Sequence, residues 1–369
     1  MRKIRVLVVD DSVVIRRLIV RALADNPKIE VVSTAPNGRI ALSKIPIYNP
    51  DLLTLDIEMP VMNGLETLAM VRKTYPSMPV IMFSALTPED AQKTLDCLEL
   101  GAQDYVTKND MGSGDGALEF LRRNLIPRIE LFCRGSGGIA LPDETRLSAT
   151  EVPVRRSTVA AQRVDILVIA ASTGGPNALL QILPQFPVDF PVPILIVQHM
   201  PPVFTEHFAR NLAEKSKMPV EEGKAGRRLE GGRAWVAPGN YHMAVRMDGA
   251  VPCLHINQAP PENSCRPAAD VLFRSAAGLY GPHTLGVVLT GMGQDGLRGC
   301  EEIAEAGGQI IVQDEATSVV WGMPSYVAQA GLADAVVPID HMSSEIAKRV
   351  AKWRLALPPT AAQPMHRMA

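Results

Sequence analysis

Cysteine is scarce in this 369-residue chain, and so are aromatic residues, an excess of either charge and long apolar runs. The five cysteines, Cys97, Cys133, Cys253, Cys265 and Cys300, stand far apart with no C-x-x-C pair. That spacing argues against a disulfide framework or a structural zinc and fits reduced thiols in the cytosol; a cysteine nucleophile is not expected. Lys and Arg number 37 against 39 Asp and Glu, a net charge of -2, and no basic block is interleaved with aromatics, so nothing draws the chain to nucleic acid. No apolar stretch reaches the roughly 18 residues of a membrane span. The apolar run within the first ten residues is too short for a signal peptide and ends in acids. A cytoplasmic protein without membrane insertion is the expectation.

What the chain does have is length and apolar content. It is longer than one ordinary domain, and its 47% hydrophobic residues suffice for two cores. Between residue 4 and about 131, apolar stretches at Ile4–Val9, Glu30–Ala35, Leu52–Leu55, Val80–Phe83 and Asp104–Val106 alternate with helix-like segments. Such alternation predicts a parallel sheet with helices on both faces. Polar groups follow the strands: Asp10 and Asp11 the first, Asp56 the third, Ser84 the fourth, Lys108 the fifth. Gathered carboxylates repel one another unless a cation joins them, and a small set of oxygen ligands suits Mg²⁺. The Ser84 hydroxyl and the Lys108 ammonium suit phosphoryl oxygens. The pattern reads as an aspartate that accepts phosphate; the plain alternative is a solvated acidic rim.

Carried by Asp10-Asp11, by Asp56 in Leu55-Asp-Ile-Glu-Met-Pro60, and by Ser84 and Lys108, the first 131 residues resemble a response-regulator receiver domain. The resemblance implies that Asp56 is the phosphoacceptor. Asp11, Asp56 and the backbone carbonyl of Glu58 would then bind Mg²⁺ with Asp10 close by, while Ser84 and Tyr105 form the switch pair beside Lys108. Asn109 stands where that family has a proline. Pro127, inside the last helical segment, should break or shorten that helix at a cost of about 3 kcal/mol.

Periodicity is lost over 132–163, where Gly, Ser, Thr, Pro and Arg predominate, as in a flexible linker. A second domain is expected over 164–355, with a disordered tail over 356–369. Its first buried stretch, Asp165–Ala171, delivers Ser172-Thr-Gly-Gly-Pro176; Pro193–Gln198 delivers His199; Thr284–Thr290 delivers Gly291-Met-Gly-Gln-Asp-Gly296. Arg233–Pro238, Tyr241–Arg246 and Val251–Ile256 are expected as short antiparallel strands. Taken singly, Ser-Thr-Gly-Gly also reads as a phosphate-cradling loop, His199 as a structural histidine, the Asp295 segment as a turn, and His242 is a rival base. Jointly, Ser172, His199 and Asp295 end three strands at the edge where open α/β sheets bind ligands, which is the logic of a nucleophile, base and orienter. The glycine turns at Thr173–Gly175 and Gly291–Gly293 offer N–H groups to an oxyanion. The serine lacks a G-x-S-x-G frame, and the chain order is not that of α/β-hydrolases.

Ala171-Ser-Thr-Gly-Gly-Pro176, Gln198-His-Met-Pro201 and Leu289-Thr-Gly-Met-Gly-Gln-Asp-Gly296 resemble the catalytic domain of chemotaxis-type protein-glutamate methylesterases, and the order receiver, linker, esterase is similar throughout. The resemblance implies a flavodoxin-like receiver followed by a larger Rossmann-like α/β/α domain with an antiparallel insertion. Ser172, His199 and Asp295 become the triad, with Thr173 and the Met292 backbone N–H holding the oxyanion and no cofactor in the esterase site. Methylated glutamates and selected glutamines of chemoreceptors become the substrates, and a sensor histidine kinase the phosphodonor. Ala268 stands where that family often has a serine. The unphosphorylated receiver is expected to cover the Ser172 edge. Rival readings are a nucleotide-binding module, a phosphorylation-dependent scaffold and a general serine esterase or amidase.

Overall fold

Eleven elements build the first layered unit: β1 (Ile4–Val9), α1 (Val13–Ala24), β2 (Ile29–Ala35), α2 (Gly38–Tyr48), β3 (Leu52–Asp56), α3 (Gly64–Thr74), β4 (Val80–Ser84), α4 (Pro88–Glu99), β5 (Asp104–Thr107), α5 (Asp115–Asn124) and α6 (Ile126–Phe132). The computed structural model describes residues 2–108, 115–133 and 163–351. Asn109, nearly all of the 132–163 segment and the 356–369 tail lie outside the described residues. The five strands pair in parallel in the order β2-β1-β3-β4-β5, and β3 and β4 are buried throughout, as strands covered on both faces must be. Ser12, Asn37, Asn63 and Thr87 each accept an N–H of the helix they precede, which fixes where the loops end. The last helix is divided as Pro127 requires. Helix α5 stops at Asn124 and α6 restarts at Ile126 with the proline in its first turn, where its missing N–H leaves no bond unmade.

The second unit comprises β6 (Ile166–Ala171), α7 (Gly175–Ile182), β7 (Ile194–Gln198), α8 (Phe204–Lys215), β8 (Val220–Glu222), β9 (Ala234–Val236), β10 (His242–Asp248), β11 (Val251–Asn257), α9 (Ala269–Tyr280), β12 (Thr284–Val288), α10 (Leu297–Glu305), β13 (Gln309–Gln313), α11 (Met323–Gln329), β14 (Ala335–Val337) and α12 (Ile339–Ala351). Seven strands form a parallel sheet in the order β14-β13-β12-β6-β7-β9-β8. Among the described residues, only β10 and β11 pair as antiparallel strands. The expected third antiparallel strand, β9, instead runs parallel beside β7; its Ala-Trp-Val is buried at every position, which suits the inside of a two-sided sheet rather than a half-exposed hairpin. Strand β6 lies between β12 and β7, so the chain leaves it toward both sides of the sheet and opens a crevice at its carboxyl end. Ser172 is the next residue.

The two units meet along that crevice. Asn177 Nδ2 of α7 donates to Leu98 O at 2.8 Å, Asn211 Nδ2 of α8 donates to Glu99 Oε1 at 2.7 Å, and Lys215 pairs with Glu99. The Tyr105 ring lies flat on Phe204, centroids 5.0 Å apart and planes 4° from parallel. No helix among the described residues is long and apolar enough to cross a membrane. Ile169, fully buried at the centre of the larger sheet, tests the core that carries the crevice. Ile169→Ala should cost about 2–5 kcal/mol, seen as an earlier urea transition in tryptophan fluorescence, which reports the second unit alone because Trp235, Trp321 and Trp353 all follow residue 163.

Candidate functional site

The turn after β6 is held from three directions. Ser172 N donates to Thr290 O at 3.0 Å, Gly175 N donates back to Ser172 O at 2.7 Å, and Gln198 Nε2 donates to the same carbonyl at 3.0 Å. Gly174 has φ +78°, and a Cβ there would lie 2.6 Å from Val319 Cβ, so both backbone and space demand glycine. Gly291 permits the closest approach of the third loop: a Cβ on it would fall 2.8 Å from Ser172 Cβ. Ser172, Thr173, His199 and Met292 line one cavity of about 750 Å³. Among the described residues, the Thr173 and Met292 N–H groups have no acceptor, the condition an oxyanion site requires.

His199 and Asp295 are joined. The imidazole Nε2–H donates to Asp295 Oδ2 at 2.7 Å, which leaves Nδ1 as the proton-accepting nitrogen. Asp295 is buried, and a buried carboxylate is costly unless its lone pairs are occupied. It takes N–H groups from Ala269 at 2.6 Å, Asp270 at 3.1 Å and Gly296 at 3.1 Å, and the Asn263 amide at 3.0 Å. Two of these are the first N–H groups of α9, whose preceding residue, Ala268, has no capping side chain. Asp295 therefore caps α9 from outside, and the positive helix terminus helps keep it ionised. Burial raises its pKa, but the His199 hydrogen bond and charge and the α9 N–H groups outweigh burial and hold the carboxyl below the usual 3.8. For His199, burial opposes the charged ring, yet the contacts with Asp295 and Cys265 prevail and raise its pKa above the ordinary 6.5.

The rival base is occupied elsewhere. His242 is fully buried, its Nδ1 accepts from Ala268 N at 3.2 Å and its Nε2 donates to Pro260 O at 3.1 Å. Sequence reasoning missed Asn263, whose amide bridges Asp295 and, at 2.7 Å, Asp270; the missing cap at Ala268 was its only trace. It also missed Asp104. That carboxylate, on the receiver-like unit, accepts the Thr173 hydroxyl at 3.0 Å and the Arg128 guanidinium at 2.8 Å.

The acidic cluster assembles at the other end of β5. The carboxylates of Asp10, Asp11 and Asp56 each bring an oxygen within 4.8 Å of the others. Lys108 Nζ lies 2.7 Å from Asp56 Oδ1 and 2.9 Å from Asp10 Oδ2. Buried Asp10 thus has the Lys108 ammonium as its charge partner. Burial, then the Asp10 charge, push the Asp56 carboxyl up to about 7 against the pull of Lys108. Three oxygens, one of them on exposed Asp11, fit a hard divalent cation that keeps several waters. The Glu58 side chain is turned away onto Lys93, leaving its backbone carbonyl for such a role. Buried Ser84 accepts from Thr94 Oγ1 at 2.7 Å, and Tyr105 sits at the inter-unit stack.

The CheB methylesterase family model matches residues 167–346, and that of the response regulator receiver domain matches residues 6–112. A protein-glutamate methylesterase/protein-glutamine glutaminase of Trichodesmium erythraeum is 51% identical over 354 residues, 95% of this chain and 100% of that protein. Another, from a Nocardioides species, is 47% identical over 363 residues, 97% of this chain and 99% of its own. The crystal structure of the CheB methylesterase catalytic domain of Thermotoga maritima superposes with a TM-score of 0.50 at 37% identity, covering 51% of this chain and 99% of that one.

Two outcomes follow from the Asp295 network. Asn263→Ala removes a hydrogen bond to a charged group, worth about 1.5–3 kcal/mol, and should lower both the urea midpoint and the rate of ester hydrolysis, with Asn263→Asp worse because it adds a third carboxylate. A base must be neutral to accept a proton, and the pKa of His199 is raised. kcat/KM should therefore climb with pH past neutrality, and Asp295→Asn should move that rise to lower pH while cutting the plateau.

Proposed function

The chain belongs to the protein-glutamate methylesterase/protein-glutamine glutaminase family, and on that premise we propose that Ser172, His199 and Asp295 hydrolyse glutamate methyl esters of chemoreceptors under the control of Asp56. The reading is carried by the 2.7 Å His199–Asp295 bond in the cavity that Ser172 shares. Ser172 Oγ attacks the side-chain carbonyl carbon of the methylated glutamate while His199 Nδ1 takes its proton. The tetrahedral oxygen is held by the Thr173 and Met292 N–H groups, each such donor being worth about 2.7–4 kcal/mol of barrier. His199 returns the proton to the departing methoxide, methanol leaves, and water resolves the acyl-enzyme by the reverse path. With a glutamine side chain the same proton goes to the nitrogen, and ammonia leaves.

Control runs along β5. Lys108, just past its end, pairs with Asp56. Four residues earlier, about 13 Å along an extended strand, Asp104 holds the Thr173 hydroxyl and Tyr105 covers Phe204. Phosphorylation of Asp56 by a sensor histidine kinase adds charge that Lys108 must help balance, and a rearrangement through Ser84 and Tyr105 loosens the inter-unit contacts. Asp10, Asp11, Asp56 and the Glu58 carbonyl would hold Mg²⁺, which when bound neutralises phosphoryl oxygens. The receiver thus both covers the serine and ties down its neighbour.

Ser172→Ala should abolish methanol release from methylated receptor, with or without a small-molecule phosphodonor; wild-type release would sink the assignment. Asp104→Ala should raise the unstimulated rate several-fold and shrink the stimulation by phosphodonor. An unchanged unstimulated rate, with the protein folded, would remove Asp104 from the control.

A further inference from the structure

Cys265 is the one cysteine of the five that is not buried, and the backbone that carries it is unusual. Glu262 N donates to Cys265 O at 3.1 Å, and Cys265 N donates to Glu262 O at 2.8 Å. The two residues between, Asn263 and Ser264, both have positive φ, 51° and 62°. This is a two-residue turn that glycine would normally occupy at its second position, and a serine there is strained. The turn aims two side chains at the active site: Asn263 reaches Asp295, and Cys265 places Sγ 3.8 Å from His199 Nδ1. Both Cys265 and His199 face the cavity.

We propose that Cys265 and His199 form a binding site for a thiophilic divalent cation, of which Zn²⁺ is the type, and that its occupancy switches the esterase off. Tetrahedral Zn²⁺ bound to one thiolate and one imidazole sets sulfur and nitrogen about 3.6 Å apart, so the observed pair needs almost no movement. The other imidazole nitrogen already donates to a carboxylate, the arrangement that orients and strengthens a histidine ligand. Donor atoms of His199, Cys265 and Asp295 lie within 4.8 Å of one another, with Asp295 committed to its N–H partners as the outer carboxylate. A sulfur and nitrogen pair selects Zn²⁺ over Mg²⁺ or Ca²⁺. The thiol proton passes to solvent as the Zn–S bond forms, and water fills the remaining positions. Two protein ligands make a reversible site, weaker than a four-ligand structural zinc. The ion occupies the nitrogen that Ser172 needs, so it competes with proton transfer.

Inhibition rests on His199 acting as the base, whereas binding does not, and the two are read separately. Co²⁺ added to the full chain should give a thiolate-to-metal charge-transfer absorption that Zn²⁺ displaces and that both Cys265→Ser and Cys265→Ala abolish. Micromolar Zn²⁺ should lower methanol release at least tenfold, with recovery on chelation, and each variant should need at least tenfold more Zn²⁺ for the same fractional loss relative to its own uninhibited rate. A cobalt band that survives in the variants, or its absence from the wild type, overturns the site. A Cys265-dependent band without inhibition overturns the switch and counts against His199 as base, leaving the metal site standing.

Discussion

One buried carboxylate organises the crevice at the carboxyl end of the larger sheet. Asp295 lies out of water, and an ion in that position costs several kcal/mol unless it is fully partnered. Its partners come from four separate places: the ring at the end of β7, the start of α9, the 262–265 turn and its own loop. Satisfying the charge therefore assembles the site. The same contacts orient the imidazole, cap a helix that has no capping side chain, and hold a strained turn against the cavity. Removing any one partner weakens the compensation of a buried charge, so the loops depend on one another through it.

Under the proposed function, control acts at the serine, the member of the candidate trio with the fewest contacts. Among the described residues Ser172 Oγ has no hydrogen-bond partner, and its neighbour Thr173 spends its hydroxyl on the opposite unit. Asp104 is itself paired with Arg128, so the contact is a charge-assisted hydrogen bond between two buried residues. Such a contact is specific and breakable. Strand β5 carries it at one end and meets the Asp56 pocket at the other, and the proposed control uses that strand as its route to the serine.

Much of this was legible in the sequence. Continuous apolar runs announced strands buried on both faces, and polar residues placed just past their ends announced which groups gather at the two sheet edges, because a parallel α/β sheet always gathers its strand ends on one side. Pro127 announced the break between α5 and α6. The errors fell on short elements. Strand β9 has three residues, and three residues cannot display the period that separates a half-buried hairpin from a buried parallel strand; β8 and β14, of the same length, gave no signal at all.

The sequence by itself determined the two parallel sheets, the acidic pocket around Asp56 and the candidate trio of Ser172, His199 and Asp295, since each depends on local periodicity and on residues adjacent to strand ends. Tertiary structure alone decided that His242 is spent on Ala268 and Pro260, that Asn263 and Cys265 stand over the Asp295–His199 pair, and that Asp104 reaches Thr173. Those are contacts between residues tens of positions apart, held by hydrogen bonds whose direction no linear pattern encodes. A chain can state which groups it carries to an edge. Which of them touch is settled only when buried charges must find their partners.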